Sequence, residues 1–332
     1  MLRIVYKRKF YYAFSLTLFI LAILALSFWG LKSGVDFTGG SLLQVNFEGM
    51  ARPQNDKIKN ALNGLNLDEI ITQPTGETGV ILKFKEVDEA KHQEILKKLQ
   101  DTFAPGKAVT ATPAPVQVQG AGAAMVTAVQ TEVVSGPRVS EANFQSIGPS
   151  VSSDLKTKTF YAITIVLIAI ICYIAFAFRK VGRPVASWKY GVIAVIALAH
   201  DVTITIGVFA VLGHFLGVEI DTSFVAAVLT VLGFSVHDTI VIFDRVRENL
   251  RRYQGDFEET VNKSLNETIV RSINTTLVTL LSLLAIFLFG GETIKYFALA
   301  LIVGIAAGAY SSIFLAAPGL VTWHGWDRRS GR

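Results

Sequence analysis

Charge is scarce in this sequence and cysteine almost absent. Charged residues are 17% of the 332 positions against 51% hydrophobic ones, and mean hydropathy is +0.46. That balance excludes an ordinary soluble protein and fits an integral membrane protein with some soluble mass. The single cysteine, Cys172, excludes an intramolecular disulfide and a cysteine metal cage. There is no GxxxxGKS/T loop, so any ATP chemistry belongs to a partner. No serine or cysteine nucleophile arrangement can be identified either, and the chain does not read as an enzyme. A net charge of +5 and a pI near 9.2 could suggest nucleic acid. The basic residues sit beside apolar runs, however, which suits the positive-inside rule better.

The apolar runs number six, at about 10–31, 159–178, 190–213, 222–243, 272–290 and 294–317. Each is long enough to cross a bilayer as a helix. The first follows a basic start, Arg3, Lys7, Arg8 and Lys9. A cleaved signal peptide, with Ala25 and Ser27 as weak cleavage-site residues, competes with an uncleaved anchor there. The length of the run and the further spans favour the anchor. Basic residues recur in the links after the second span (Arg179, Lys180, Arg183, Lys189) and after the fourth (Arg245, Arg247, Arg251, Arg252, Lys263), and at the C-terminus. The short links on the other side hold only Lys295. Both termini are therefore expected in the cytoplasm. The expected divisions are 1–31 (N-terminus and first span), 32–157 (external domain), 158–317 (spans two to six) and 318–332 (cytoplasmic tail).

Residues 32–157 are the only long polar stretch. Gly34 to Ser41 is turn chemistry, and strands are expected at 42–47, 67–72, 80–84 and between 132 and 147. Helices are expected at 53–62, opened by Pro53, and at 88–99 with Asp88 as N-cap. The order strand–helix–strand–strand–helix–strand is that of a split βαβ unit, an α+β (ferredoxin-like) layer fold. The segment 104–137, rich in Pro, Ala, Val, Gln and Gly, reads as a long loop or loosely ordered insertion. The expected fold is thus a membrane all-α six-helix bundle with an extracytoplasmic α+β domain between the first and second spans. In the link from Arg245 to Thr268, Phe257, Val261 and Leu265 recur every four residues. This predicts an amphipathic helix at the cytoplasmic surface, lying on the membrane or simply solvated.

Polar residues inside spans are costly and mark function by default. The third span carries His200 and Asp201, the fourth His237 and Asp238. In the fifth, Arg271, Thr275, Thr279 and Ser282 share one helical stripe, with Asn274 beside it; the stripe is expected to face the bundle interior. In the sixth, Ala300, Gly304, Gly308, Ser312 and Ala316 recur at four-residue intervals, which serves close helix packing. Asp238 admits three readings. As a proton site it balances burial, which favours the neutral acid, against a nearby Arg271, which favours the anion. As a metal site it would act with His200, Asp201 and His237. As a structural group it would pair with Arg271 or a histidine. His237 stands one 100° step round the helix and reads as an interhelical hydrogen-bond partner. His200 and Asp201 are ambiguous in the same way. The charge placement runs the fourth span inward and sets Asp238 near the start of the fifth, so direct contact with Arg271 is expected.

The run Val231 to Asn249 resembles the signature fourth helix of the SecD/SecF protein-export family on its SecF side. The Gly34–Gly40 turn, the Ala199-His200-Asp201-Val202 run and Ser264 to Thr276 are similar to the same family. The resemblance implies a resistance-nodulation-division-type membrane fold and a separate SecD chain as partner. It further implies work beside the SecYEG channel and the SecA motor on a translocating preprotein, in the plasma (inner) membrane or a thylakoid. In that family the positions of Asp238 and Arg271 serve proton coupling, with protons as coupling ion and no bound cofactor or metal. His237 departs from the small amide residue expected at its place. A half-transporter for a small molecule or metal cation, and a non-conducting scaffold, are the competing functions.

Overall fold

The computed structural model describes residues 2–67, 70–105, 136–179, 185–252 and 255–329. Most of the Pro/Ala-rich segment predicted at 104–137 lies outside the described residues, as do Lys180, Arg183 and Arg332. The chain divides into two compact units, one of residues 1–37 with 153–332 and one of residues 38–152.

The smaller unit holds a four-stranded sheet. Its strands are β1 (Gly40–Glu48), β2 (Ile71–Thr75), β3 (Gly79–Phe84) and β4 (Arg138–Ile147), in the order β2-β3-β1-β4. All three pairings are antiparallel. Alternation along β1 places Leu43, Val45 and Phe47 on one fully buried face, as the two-residue strand period requires. Val80, Leu82 and Phe84 of β3 extend that face. Two helices cover it. Ile58 and Leu62 come from the helix Asn55–Leu62, and Ile95 and Leu99 from the helix Glu89–Phe103. The second helix is capped as its sequence predicts, with Asp88 accepting from the Lys91 amide at 2.9 Å. β2 begins later than predicted, at Ile71. Gly40 has φ +121°, and a Cβ there would lie 2.8 Å from the Phe84 carbonyl oxygen. The strand can therefore enter the sheet only through glycine.

In the larger unit six helices are long and apolar enough to cross a membrane. They are numbered in chain order: α1 (Arg8–Trp29), α2 (Pro149–Ala177), α3 (Ser187–Leu216), α4 (Thr222–Arg252), α5 (Phe257–Phe289) and α6 (Glu292–Ser311). After Ser311 the last helix widens into a π-helical turn, Ser312–Ala316, and continues as α7 (Ala317–Arg329). The helix thus runs past residue 317, where the sequence suggests a tail. Leu320 and Val321 explain this, because both are buried in the core.

The Gly34–Ser41 turn contains a short helix, Val35–Thr38. Asp36 accepts the Thr222 amide at 2.9 Å and its hydroxyl at 2.6 Å, closing the first turn of α4. The predicted surface helix is not a separate element: α4 and α5 simply extend through that link. Phe257, Val261 and Leu265 are buried against Ile4, Val5 and Val246. Their apolar stripe serves the chain's own core and not a lipid surface. The N-terminus is tied to the same extension, with Arg8 paired to Glu258 at 2.5 Å and Asn262 donating to the Leu2 carbonyl at 3.0 Å.

The small-residue stripe of α6 lies against α4. A Cβ on Gly304 would fall 2.2 Å from a Val231 methyl, and one on Gly308 3.1 Å from the Ser235 Cβ. α1 meets α3 in the same manner, with Gly207 against Ala22 at 2.4 Å. Such contacts set the helix spacing by backbone approach. Gly304→Val is expected to lower the thermal unfolding midpoint in detergent, a loss of about 1–3 kcal/mol typical of overpacking. Adding Val231→Ala should recover most of it. An unchanged midpoint in the single variant would mean that α4 and α6 do not meet at Gly304.

Candidate functional site

The two His–Asp pairs lead to different places. Asp201 points into the contact of α3, α4 and α6, and its side chain is 0% exposed. Three polar groups surround it. His200 Nδ1 lies 2.9 Å from one carboxylate oxygen, and the Ser235 and Ser311 hydroxyls donate to the other at 2.6 and 2.7 Å. Ser235 is supplied by α4 and Ser311 by the last turn of α6. They reach the carboxylate because Gly308 brings the two helices together: a Cβ there would lie 3.6 Å from the same Asp201 oxygen.

A second tier of hydroxyls continues the network. Thr239 and Ser312 pair at 2.8 Å, either donating, and both reach the Ser235 carbonyl, at 3.1 and 3.4 Å. Thr205 donates to the Asp201 carbonyl at 2.9 Å. Ser312 opens the π-turn, and such turns recur at functional sites. No Lys or Arg acts on Asp201 among the described residues; its polar neighbours are His200, Ser235 and Ser311. His200 is also buried. Its ring lies parallel to Phe19 of α1 with centroids 6.2 Å apart, and its Nε2 has no hydrogen-bond partner.

Asp238 lies elsewhere on α4. With 100° per residue, Ser235 and Thr239 share the inner face, Asp238 turns toward α5 and His237 turns outward. Asp238 is half-buried and His237 exposed. The side chains acting on the Asp238 carboxylate are His237 and Thr276 of α5. Among the described residues no ion pair joins Asp238 to Arg271, and Arg271 is exposed. The direct contact expected from the sequence is absent in this arrangement.

The stripe headed by Arg271 also differs from expectation, because it faces out of the chain. Asn274, Thr275 and Ser282 are exposed and Thr279 is half-buried. The hydroxyls satisfy themselves on their own helix, with Thr275 donating to Arg271 and Ser272 carbonyls at 3.0 Å, Thr279 to Thr275 at 3.0 Å and Ser282 to Val278 at 3.1 Å. Return bonds to the preceding turn let a hydroxyl stand in an apolar setting. Among the described residues, no three His, Cys, Asp or Glu side chains gather as a metal cage, and the outward turn of His237 separates the two pairs.

Ser235, Thr239 and Ser311 carry the buried network and were not singled out from the sequence. Two signals were available. Ser235 and Thr239 stand four apart on the face of α4 away from His237, and Ser311-Ser312 is a paired hydroxyl interruption in an apolar run.

A family model described as "Protein export membrane protein SecD/SecF, C-terminal" matches residues 126–326. Protein translocase subunit SecF of Thermobaculum terrenum is 39% identical, over 98% of this chain and 95% of that protein. That of Anaerolinea thermophila is 34% identical, over 99% and 96%. Among solved structures, SecDF from Thermus thermophilus, a translocon-associated membrane protein, aligns with a TM-score of 0.73 at 26% identity. That alignment covers 97% of this chain but only 38% of the SecDF chain.

Ser235→Ala and Ser311→Ala each remove a donor from one buried carboxylate oxygen. Each is expected to cost about 1–3 kcal/mol in denaturant unfolding. The double variant should depart from additivity, because the two donors share an acceptor. Strictly additive losses would show that the serines do not act on a common group.

Proposed function

The chain belongs to the SecD/SecF family of protein-export membrane proteins, and from that membership we propose that it works as the SecF-type, non-enzymatic accessory subunit of Sec translocation. In this reading a separate SecD chain completes it. The pair assists the SecYEG channel and SecA, using proton-motive force to draw a preprotein across the plasma (inner) membrane. Protons are the coupling ion and no cofactor is required.

One observation carries the partnership. Asp238 of α4 and Arg271, Asn274 and Thr275 of α5 stand in helices long and apolar enough to cross a membrane, and the chain leaves them partly or wholly uncovered. A guanidinium and a carboxylate facing lipid are expensive. A second bundle laid over this face removes that cost, and the solved SecDF chain, of which this one spans 38%, has the length to include one.

The mechanism follows from the same placement. With the partner in position, Asp238 sits in a crevice between protein surfaces beside Thr276. An anionic Asp238 attracts Arg271, one helix away; a protonated one does not. Loading and release of a proton therefore switch a charge pair at the α4–α5 seam, and each charge crossing the field contributes about 2.3 kcal/mol per 100 mV. The strand order β2-β3-β1-β4 supports the ferredoxin-like reading of the smaller unit. The basic links support its extracytoplasmic side, with both termini cytoplasmic. There it can grip or release the emerging chain.

Asp238→Asn, reconstituted in vesicles with a SecD chain and the channel, should abolish the proton-motive part of export while the ATP-driven part persists. Normal export with unchanged proton conductance would sink the coupling role. A SecD chain should co-purify with the natural protein under mild detergent.

A further inference from the structure

We propose that His200 and Asp201 form a second proton-binding site inside this chain, in which His200 Nε2 accepts the proton and the Asp201 carboxylate balances its charge. The site is separate from Asp238 and does not rest on the role given to it.

The argument starts from charge. A carboxylate withdrawn from water must be neutralised or paired. Asp201 has no Lys or Arg acting on it among the described residues. Its three side-chain partners are two neutral hydroxyls and one imidazole. His200 is the only member of this set able to take a positive charge. In the proposed state Nδ1–H donates to the Asp201 oxygen 2.9 Å away, which leaves the Nε2 lone pair free, the arrangement by which a carboxylate orients a histidine as a base. That Nε2 is buried and has no hydrogen-bond partner among the described residues, and it is the atom where a proton would arrive.

The groups facing the dyad from each packed helix leave it without a competitor. α1 contributes the Phe19 ring. α4 contributes Ser235, and its own titratable pair, His237 and Asp238, points to other sides. α6 contributes Ser311 and Gly308. Tyr310 of α6, the phenol between α6 and α1, is engaged with the Tyr11 carbonyl at 3.2 Å and with Ser15 at 3.5 Å.

Chemically, hydronium gives its proton to the Nε2 lone pair and leaves water. An N–H bond forms, the dyad passes from net negative to net neutral, and nothing is oxidised or reduced. Once protonated, Nε2–H is a donor without an acceptor among the described residues.

The test is nitrogen-15 NMR of histidine-labelled full-length chain in lipid bilayers. Five histidines are present, and loss of one signal in His200→Gln assigns His200. The expected result is Nδ1–H alone at high pH and a second proton on Nε2 at low pH, an uptake of about one proton per dyad. Asp201→Asn should abolish that uptake, whereas Asp238→Asn should keep it, which separates failure here from failure of the coupling role above. Should Asp201→Asn not fold, Ser235→Ala with Ser311→Ala keeps the carboxylate and should move the uptake midpoint by about one pH unit or more. A His200 ring whose protonation never changes, an Nε2–H tautomer throughout, or a midpoint indifferent to these substitutions overturns the proposal.

Discussion

The Asp201 carboxylate is fully buried, and among the described residues no lysine or arginine acts on it; side chains of the surrounding helices supply its polar contacts. The effective penalty for taking such an ion from water is several kcal/mol. Hydrogen bonds to a charged group return about 1.5–3 kcal/mol each. Three polar groups, His200, Ser235 and Ser311, lie within hydrogen-bond distance of it. Two of the three come from other helices, so the carboxylate is satisfied only while α3, α4 and α6 stay in contact. That contact depends in turn on Gly304 and Gly308, since side chains there would hold Ser311 away from Asp201. The small-residue stripe and the buried acid are two halves of one arrangement.

Asp238 solves the same solvation problem differently. It lies on the rim of the bundle with Thr276 of α5 and His237 acting on it, close to a polar stripe that turns away from the chain's core. Asp201 is reached by His200 of its own helix and by Ser235 and Ser311 of two others. The two acids of adjacent helices thus differ in burial and in the groups that act on them.

Hydropathy made the six spans legible, because twenty apolar residues in a row have few other solutions. Alternation made the sheet legible, with Leu43, Val45 and Phe47 reading as one face before any partner strand is known. Asp88 as a cap is a local effect, and local effects survive translation from sequence. The differing fates of His200-Asp201 and His237-Asp238 were not legible. Each pair is an imidazole followed by a carboxylate in an apolar helix, and only the azimuth of three helices at once distinguishes them. The same holds for Phe257, Val261 and Leu265. Their periodicity announces an apolar face but not whether lipid or Ile4 and Val5 will cover it. The outward turn of the Arg271 stripe was misjudged because the spacing of a polar stripe does not say on which side of the helix the rest of the chain packs.

Helix α4 joins the two acids mechanically. Ser235 and Thr239, one turn apart, hold the Asp201 network, and Asp238 lies between them in sequence on a neighbouring face. Over a single turn a helix moves as a rigid body. Ser235 and Asp238 stand three residues apart on α4, so a displacement of that turn relative to α3 and α5 would shift both Ser235 against Asp201 and Asp238 against Thr276. α6 is the helix that must accommodate such a shift, and it carries its π-turn where Ser311 and Ser312 meet the network. A π-turn holds one residue more than the α-helical ladder uses and can absorb a change of register without unwinding the helix. The buried acid and the rim acid are therefore joined through a single turn of α4, beside the π-turn that follows α6.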